Sequence, residues 1–269
     1  MASQSGNKET KDHFATGTKD QVGDVDINFV RVGTGDHSVL FLPGLLGTAW
    51  LNFGPHIESL GTEKLTIVAW DPPGYGKSRP PDRTFPDNFY QRDATWTYSL
   101  MKTLGYSKFS LIGMVDGSIT ALWLAATYPE SIHKMIVFGA RSYIHPAEVK
   151  VYECMTTIDT FPEFLRTRMM HIYDLNYIEQ TTSKWLNAMR RLYNKQNGDL
   201  CNQALPKIKC PTFILCKSVD RLLAPDHPFY LKQNITNSMI YVYEAGTPTD
   251  FTIHPKQFKM VITEILFQK

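Results

Sequence analysis

The sequence predicts an α/β protein with a mostly parallel, doubly wound sheet. Short continuous apolar runs recur between turn residues, as at 39–42 and 65–70, which is typical of strands buried on both faces. Amphipathic helical patterns alternate with these runs, as at 88–104. Alternating strands and helices favour a parallel sheet covered by helices on both sides. The length of 269 residues fits one such domain that carries an insertion.

The elements follow one another in an order that fits this class. Residues 1–21 are polar and are predicted to form a disordered tail. Residues 22–32 alternate between apolar and polar side chains, which predicts a first strand or hairpin. Further strands are predicted at 39–42, 65–70, 109–112, 135–138, 212–216 and 239–243, and further helices at 49–60, at 88–104, after the strand at 109–112, and at the end of the chain.

One segment, 145–205, interrupts the alternation. It has helical character, is rich in Tyr, Met, Arg and Thr, and lies between two predicted strands. Ligands bind at the carboxyl ends of the strands in open α/β sheets. We therefore interpret 145–205 as a helical cap over that edge, with a core formed by 22–144 and 206–269.

Composition argues against several kinds of partner. Lys and Arg number 28 against 26 Asp and Glu, the net charge is +2, and no long basic run is present, so we expect no nucleic-acid interface. No apolar run is long enough for a membrane span or a signal peptide. The four cysteines form no zinc or C-x-x-C pattern and are expected to be buried thiols. We therefore expect a cytoplasmic protein without metal or cofactor, whose oligomeric state stays open.

A turn flanked by glycines stands at the centre of the predicted sheet. In Gly-Met-Val-Asp-Gly at 113–117, the glycines lie two positions before and after Val115, an apolar run precedes the motif and a helical pattern follows it. On a strand-to-helix turn this spacing is typical of the nucleophile elbow of the α/β-hydrolase fold. Valine has no nucleophilic atom. The motif therefore predicts the frame of an active site without its reacting atom.

A second turn, Pro-Gly-Leu-Leu-Gly at 43–47, directly follows the predicted strand at 39–42. In α/β-hydrolases the loop at this place contributes a backbone N–H to the oxyanion hole. A Pro-Gly pair alone can simply end a strand, but with an elbow downstream we favour the oxyanion-loop interpretation. The predicted ligand-binding residues come from these two turns: Leu45, Leu46, Met114, Val115 and Asp116.

Three stretches together resemble the biphenyl hydrolase-like proteins, also called valacyclovir hydrolases. They are the loop at 42–47, the block Val-Ala-Trp-Asp-Pro-Pro-Gly-Tyr-Gly-Lys-Ser-Arg-Pro-Pro-Asp-Arg at 68–83, and the elbow with Asp116 after its centre. The likeness extends from about residue 22 over the rest of the chain and includes the cap. The resemblance implies an α/β-hydrolase fold with a helical cap between late strands, and relatives that are Ser-His-Asp esterases of α-amino acid esters.

The resemblance also assigns four roles. The nucleophile falls on Val115, the acid of the triad on Asp220, the base on Pro248, and the anchor for a substrate amine on Asp116. Acyl transfer by this route needs both a nucleophile and a base, and neither valine nor proline can serve. We therefore expect a catalytically degenerate hydrolase, a pseudoenzyme, that binds a small apolar molecule bearing an amine.

Several alternatives remain open. Asp116 can instead be a carboxylate that is stabilised by the N-terminus of a helix. The chain can be a non-hydrolytic enzyme such as a cofactor-free oxygenase, luciferase or lyase, although these usually keep a base at the position of Pro248. It can also be a weak amino acid ester hydrolase that uses Cys216 or Ser218 with His254, or a scaffold with a filled pocket. His254 is expected to start the last helix before Pro255. Three further histidines are expected at the surface: His145, His171 and His227.

Overall fold

The computed structural model describes residues 17–60, 63–154, 157–161, 163–220, 222–243 and 254–268. Its strands, β1 to β8 in chain order, are Thr18–Val22, Val25–Val32, His37–Leu42, Leu65–Trp70, Phe109–Met114, Ile132–Phe138, Thr212–Lys217 and Ser238–Tyr243. Its α-helices, α1 to α8, are Ala49–Leu60, Phe89–Thr103, Asp116–Thr127, Pro146–Cys154, Glu163–Met170, Leu175–Gln196, His227–Asn234 and Pro255–Phe267.

The described strands form one sheet in the order β1-β2-β4-β3-β5-β6-β7-β8. From β4 to β8 all neighbours are parallel, and the antiparallel hairpin of β1 and β2 adds to one edge. The predicted α/β fold with a mostly parallel sheet is therefore confirmed. Helices precede or follow the parallel strands, as expected for crossovers between them.

The hairpin shows that the predicted end of the N-terminal tail is wrong. Residues 18–21 were assigned to a disordered tail, but they belong to β1, in which Thr18 pairs with Phe29 and Val22 with Val25. An edge strand needs a partner on one side only, and Val22 alone is buried in β1, so a polar sequence suffices. Residues 1–16 lie outside the described part of the chain.

Both faces of the sheet are covered. Successive side chains of a strand point to opposite faces, and β3 shows the consequence: Leu40 and Leu42 join one apolar core whereas Val39 and Phe41 join the other. The first core includes side chains of α2, α3 and α6, and the second includes side chains of α1 and α8. Burial on both sides explains why β3 and β4 are continuous apolar runs in the sequence.

The helices α4, α5 and α6 lie between β6 and β7, in the segment 145–205 that was interpreted as a cap; we call them the inserted helices. Helix α6 and the residues just before it contact the turn that follows β4. The hydroxyl of Tyr173 accepts the N–H of Gly76 at 2.9 Å, and the hydroxyl of Tyr177 donates to the carbonyl of Gly74. These bonds hold the inserted helices next to the carboxyl edge of the sheet.

Helix α7 was not predicted. Only His227 and Leu231 are buried in it, so its apolar pattern is too sparse for periodicity to detect. None of the helices in the described ranges combines the length and the apolarity that a membrane crossing requires.

Candidate functional site

Val115 occupies the apex of a strand-to-helix turn between β5 and α3, with φ 54° and ψ −114°. A β-branched residue at positive φ is strained, by roughly 1–3 kcal/mol, and persists only where its surroundings hold it. Here its N–H donates to the carbonyl of Phe138 at 2.9 Å. The backbone of a nucleophile elbow is therefore present, and a partly exposed valine side chain stands at its apex.

Steric contacts explain why the motif has glycine at both flanking positions. A Cβ on Gly117 would lie 2.1 Å from the carbonyl oxygen of Leu42, and a Cβ on Gly113 would lie 2.7 Å from the Cα of Ser118. Both distances are shorter than a side chain tolerates, so close backbone packing requires glycine at each position. The spacing that identified the elbow in the sequence thus results from the packing of α3 against the sheet.

The predicted oxyanion loop lies against the elbow. A Cβ on Gly44 would be 3.3 Å from both the carbonyl oxygen of Met114 and the Cβ of Val115. Leu46 in this loop has φ 55°. Leu46 and Met114 are buried in the cores, whereas Leu45 and Val115 are partly exposed. Of these four predicted ligand-binding residues, Leu45 and Val115 therefore offer side-chain surface.

Asp116 is buried, and both oxygens of its carboxylate are bonded within the chain. Nη2 of Arg141 donates to Oδ1 at 3.2 Å, and Nε1 of Trp185 donates to Oδ2 at 2.7 Å. Burial raises the pKa of Asp116 above its ordinary value, while Arg141, Trp185 and Tyr90 oppose that shift. The cavity beside the carboxylate measures about 10 Å³, room for roughly one water molecule. The carboxylate of Asp116 is thus already paired with a cation, the guanidinium of Arg141.

A larger cavity, of about 240 Å³, opens at the carboxyl ends of β6, β7 and β8; we call it the strand-end cavity. It lies beside the elbow, because a Cβ on Gly139, which lines it, would be 3.7 Å from Cγ2 of Val115. Asp220 also lines it, and its Oδ1 accepts the N–H groups of Leu222 at 2.8 Å and Leu223 at 3.1 Å. The carboxylate predicted as the acid of the triad is thus held by backbone donors.

Glu148 and His227 form a buried pair, of which His227 lines the strand-end cavity. Nε2 of His227 lies 2.6 Å from Oε1 of Glu148, and the two side chains are 1% and 2% exposed. Glu148 also accepts the N–H of Ala224 and the hydroxyl of Tyr152, both at 2.8 Å. Burial alone would raise the pKa of Glu148, but the hydrogen bond with His227 and the charge of Arg141 lower it to about 2. The carboxylate is therefore ionised at neutral pH.

The burial of His227 corrects the sequence analysis, which expected this residue at the surface. His227 begins α7, and its partner Glu148 lies on α4, 79 residues earlier in the chain. Nothing in the local sequence around His227 indicates that contact. Of the other two histidines expected at the surface, His171 is exposed and His145 is partly buried.

Of the serine and cysteine side chains near the elbow and the strand-end cavity, Ser118 and Cys216 are poorly suited to replace the nucleophile. Ser118 is fully buried, and its Oγ donates to the carbonyl of Phe138 at 2.9 Å, so it faces the sheet. Ser218 is exposed and Cys216 is half-buried, and both line the strand-end cavity. Burial raises the pKa of the Cys216 thiol, which disfavours the reactive thiolate.

Two further predicted positions lie near the end of the chain. His254 is exposed and precedes Pro255, the first residue of α8, as the sequence predicts. Pro248 lies outside the described residues, so its assignment as the former base stays a prediction.

The cysteines are free thiols. Cys201 and Cys210 are buried as expected, Cys216 is half-buried, and Cys154 at the end of α4 is exposed, so the expectation of burial is wrong there. Within the described ranges, no cluster of three His, Cys, Asp or Glu side chains is suited to hold a metal ion.

The fold and the elbow define an α/β hydrolase, and comparison with known proteins agrees. Residues 37–169 match the α/β hydrolase fold family, and the chain belongs to that family. The serine hydrolase BPHL of Homo sapiens is 38% identical over 231 residues, which cover 86% of this chain and 79% of the relative. BPHL of Mus musculus is 35% identical over 251 residues, covering 93% and 86%. The resemblance to biphenyl hydrolase-like proteins is therefore confirmed.

Solved structures show the same fold. The meta-cleavage product hydrolase CumD of Pseudomonas fluorescens IP01 is similar with a TM-score of 0.71 and 17% sequence identity, covering 92% of this chain and 96% of that chain. At this identity the similarity concerns the fold alone.

Proposed function

We propose that this α/β hydrolase does not cleave esters through a Ser-His-acid triad and that it binds a small apolar molecule in the strand-end cavity. The observation that carries the proposal is the elbow itself, which keeps its strained backbone and both required glycines around a valine. A strained backbone conformation persists only where the surrounding structure holds it in place. Without a nucleophilic atom at the apex, the triad route has no first step.

The position assigned to the base supports the same conclusion. The family's histidine falls on Pro248, which can neither take a proton from a hydroxyl nor return it to a leaving group. Ser118 and Cys216 do not replace the lost nucleophile, because one is bonded into the sheet and the other has a raised pKa. A residual acceleration of about 10³–10⁴ over water can persist from an oxyanion hole and binding alone.

The volumes of the two cavities favour the strand-end cavity as the binding site. The cavity beside Asp116 admits little more than a water molecule, whereas the strand-end cavity is large enough for a small organic molecule. Because Arg141 already neutralises Asp116, we do not place the amine of a ligand on that carboxylate. The ligand is therefore proposed to be small and mainly apolar, without a required amine.

The loss of hydrolysis is tested by restoring both missing groups. A panel of p-nitrophenyl esters and α-amino acid esters is incubated with the wild-type chain and with the Val115→Ser/Pro248→His double variant. We expect wild type to show only background hydrolysis. The double variant should be at least about 100-fold faster, because a nucleophile and base acting together contribute about 10⁶-fold in such enzymes.

The two single variants are the matched controls for this experiment. Val115→Ser alone lacks a base and Pro248→His alone lacks a nucleophile, so both should stay close to wild type. Labelling by a fluorophosphonate probe should appear in the double variant only. Turnover of these esters by wild type at the rates of a working esterase would show that another residue reacts and that the proposal is wrong.

A further inference from the structure

The unpartnered nitrogen of His227 has no role in the hydrolase template. Nε2 of this ring is bonded to Glu148, but Nδ1 is buried and has no hydrogen-bond partner among the residues that the structure describes. A buried polar atom without a partner is destabilising, so such atoms in native proteins call for an explanation. His227 also lines the strand-end cavity. Nδ1 itself has almost no accessible surface, so a ligand in the cavity reaches it only when the ring or its neighbours shift.

The contacts of Glu148 determine which nitrogen carries the proton. Its carboxylate accepts hydrogen bonds from the backbone of Ala224 and the hydroxyl of Tyr152, and Arg141 adds a positive charge nearby. An ionised carboxylate can only accept, so the proton of the bond to His227 is on Nε2. In the neutral ring Nδ1 then carries a lone pair and acts as an acceptor and a base.

We propose that Nδ1 of His227, oriented by Glu148, anchors an acidic hydroxyl group of a small apolar ligand, such as a phenol or an enol. This inference deepens the proposed small-molecule function and rests on it. The acceptor selects ligands that bring an O–H donor. A carboxylate that is hydrogen-bonded to one imidazole nitrogen also stabilises the imidazolium ion. Such a pair favours ligands whose hydroxyl proton can be shared with, or transferred to, the other nitrogen.

The remaining walls of the cavity set the character of the rest of the ligand. Its apolar lining comes from the ends of β6 and β7 and from α7 with the loop before it: Phe138, Ile214, Leu215, Leu223 and Phe229. Ligand sites typically combine such an apolar lining with a few polar groups that fix orientation. A compact unsaturated ring or chain with one acidic hydroxyl fits this apolar lining and the acceptor Nδ1, while Ser218 and Asp220 line a polar part of the cavity.

A pair of probes that differ only in the hydroxyl proton tests the proposal. p-Nitrophenol carries an acidic O–H, and p-nitroanisole has a methyl group in its place. Each is titrated into the full chain by calorimetry, at a pH below the p-nitrophenol pKa. We expect p-nitrophenol to bind at least about tenfold tighter, and its absorbance to move towards that of the phenolate as the proton is shared with Nδ1.

The His227→Gln variant removes the acceptor and keeps the pair with Glu148. The amide nitrogen of glutamine can occupy the place of Nε2 and still donate to the carboxylate, while nothing replaces Nδ1. We expect p-nitrophenol to lose its advantage and its absorbance change in this variant, with p-nitroanisole binding unaltered. Unaltered p-nitroanisole binding also shows that the cavity has kept its shape.

The matched control is His133→Gln, a histidine at the opposite end of β6, which should behave like wild type. Glu148→Gln provides a second variant, and it should weaken the absorbance change because no carboxylate then stabilises the imidazolium. Equal binding of the two probes to wild type, or a preference for p-nitrophenol that survives in His227→Gln, would overturn this inference and leave small-molecule binding standing. If neither probe binds wild type, both the inference and the proposed binding function fail.

Discussion

Two buried carboxylates near the elbow have opposite surroundings. Asp116 is bonded to Arg141 and Trp185, and almost no space remains beside it. Glu148 is equally well bonded, but its partner His227 borders a cavity and has one nitrogen without a partner in the described part of the chain. The difference between the two carboxylates is that only the surroundings of Glu148 combine open space with an unsatisfied polar atom. We therefore propose His227, rather than Asp116, as the ligand anchor; the predicted ligand role of Asp116 stays a prediction.

Arg141 acts electrostatically on both carboxylates, Asp116 and Glu148. Its side chain is 2% exposed and pairs with Asp116, and its charge also lowers the pKa of Glu148. Burial alone would lower the pKa of Arg141, but its neighbours Tyr152 and Asp116 raise it overall. This guanidinium is therefore positively charged and compensates two carboxylates at once.

The largest expected effect follows from removing that cation. Arg141→Met leaves Asp116 buried without compensation, and breaking a buried pair in this way costs about 3–5 kcal/mol. Burial raises the pKa of Asp116, so the folded chain takes up its proton at a higher pH than the unfolded chain does, and the loss should be smaller at about pH 4 than at about pH 7. Urea denaturation at both pH values measures this difference.

The control for this change is Arg190→Met, which breaks an exposed pair with Glu153. Exposed pairs contribute at most about 1 kcal/mol, so this variant should remain close to wild type at both pH values. If Arg141→Met lost no more unfolding free energy than Arg190→Met, burial of Asp116 would not depend on the charge of Arg141. The contrast drawn between Asp116 and Glu148 would then be wrong.

An intermediate effect is expected on the Glu148 side, through pH. The pKa of Glu148 is lowered from 4.5 to about 2, so its ionised form stabilises the fold above the ordinary pKa, by about 3 kcal/mol. That contribution should be lost as the pH falls through the window from 4.5 to about 2. The unfolding free energy of wild type should therefore fall more steeply in this window than that of Glu148→Gln.

Glu153→Gln on the same helix is the matched control, because Glu153 is exposed. Its pH profile should follow wild type. A Glu148→Gln profile that also follows wild type would mean that the pair with His227 does not hold the carboxylate in its ionised form.

The smallest expected effect concerns the tryptophan bond to Asp116. Trp185→Phe keeps an aromatic ring but removes the Nε1–H that lies 2.7 Å from Oδ2. Hydrogen bonds to charged groups contribute about 1.5–3 kcal/mol, so we expect a loss of about 2 kcal/mol by chemical denaturation. Trp123→Phe removes a bond of 2.9 Å to the neutral carbonyl of Leu200 and should lose about 1 kcal/mol. Equal losses would indicate that Asp116 carries no charge in the fold.

Much of the fold was predictable because its signals are local. β4 is found at the predicted residues, 65–70, since every one of its side chains is buried and the run is bounded by turns. The elbow was predictable for the same reason, because Gly113 and Gly117 are required by backbone contacts within a few residues or with the adjacent strand. β1 and α7 were missed or misplaced, because an edge strand and a half-exposed helix bury too few side chains to leave a pattern.

The α/β class, the elbow with Val115 at its centre and the family of the chain could all be read from the amino-acid sequence. These depend on residue identity and on spacings of a few positions. The pairing of Arg141 with Asp116 and the burial of His227 against Glu148 became visible in the folded chain. The physical reason is that these contacts join residues 25 and 79 positions apart, across different elements. Such pairings depend on how the strands and helices assemble, which no local pattern records.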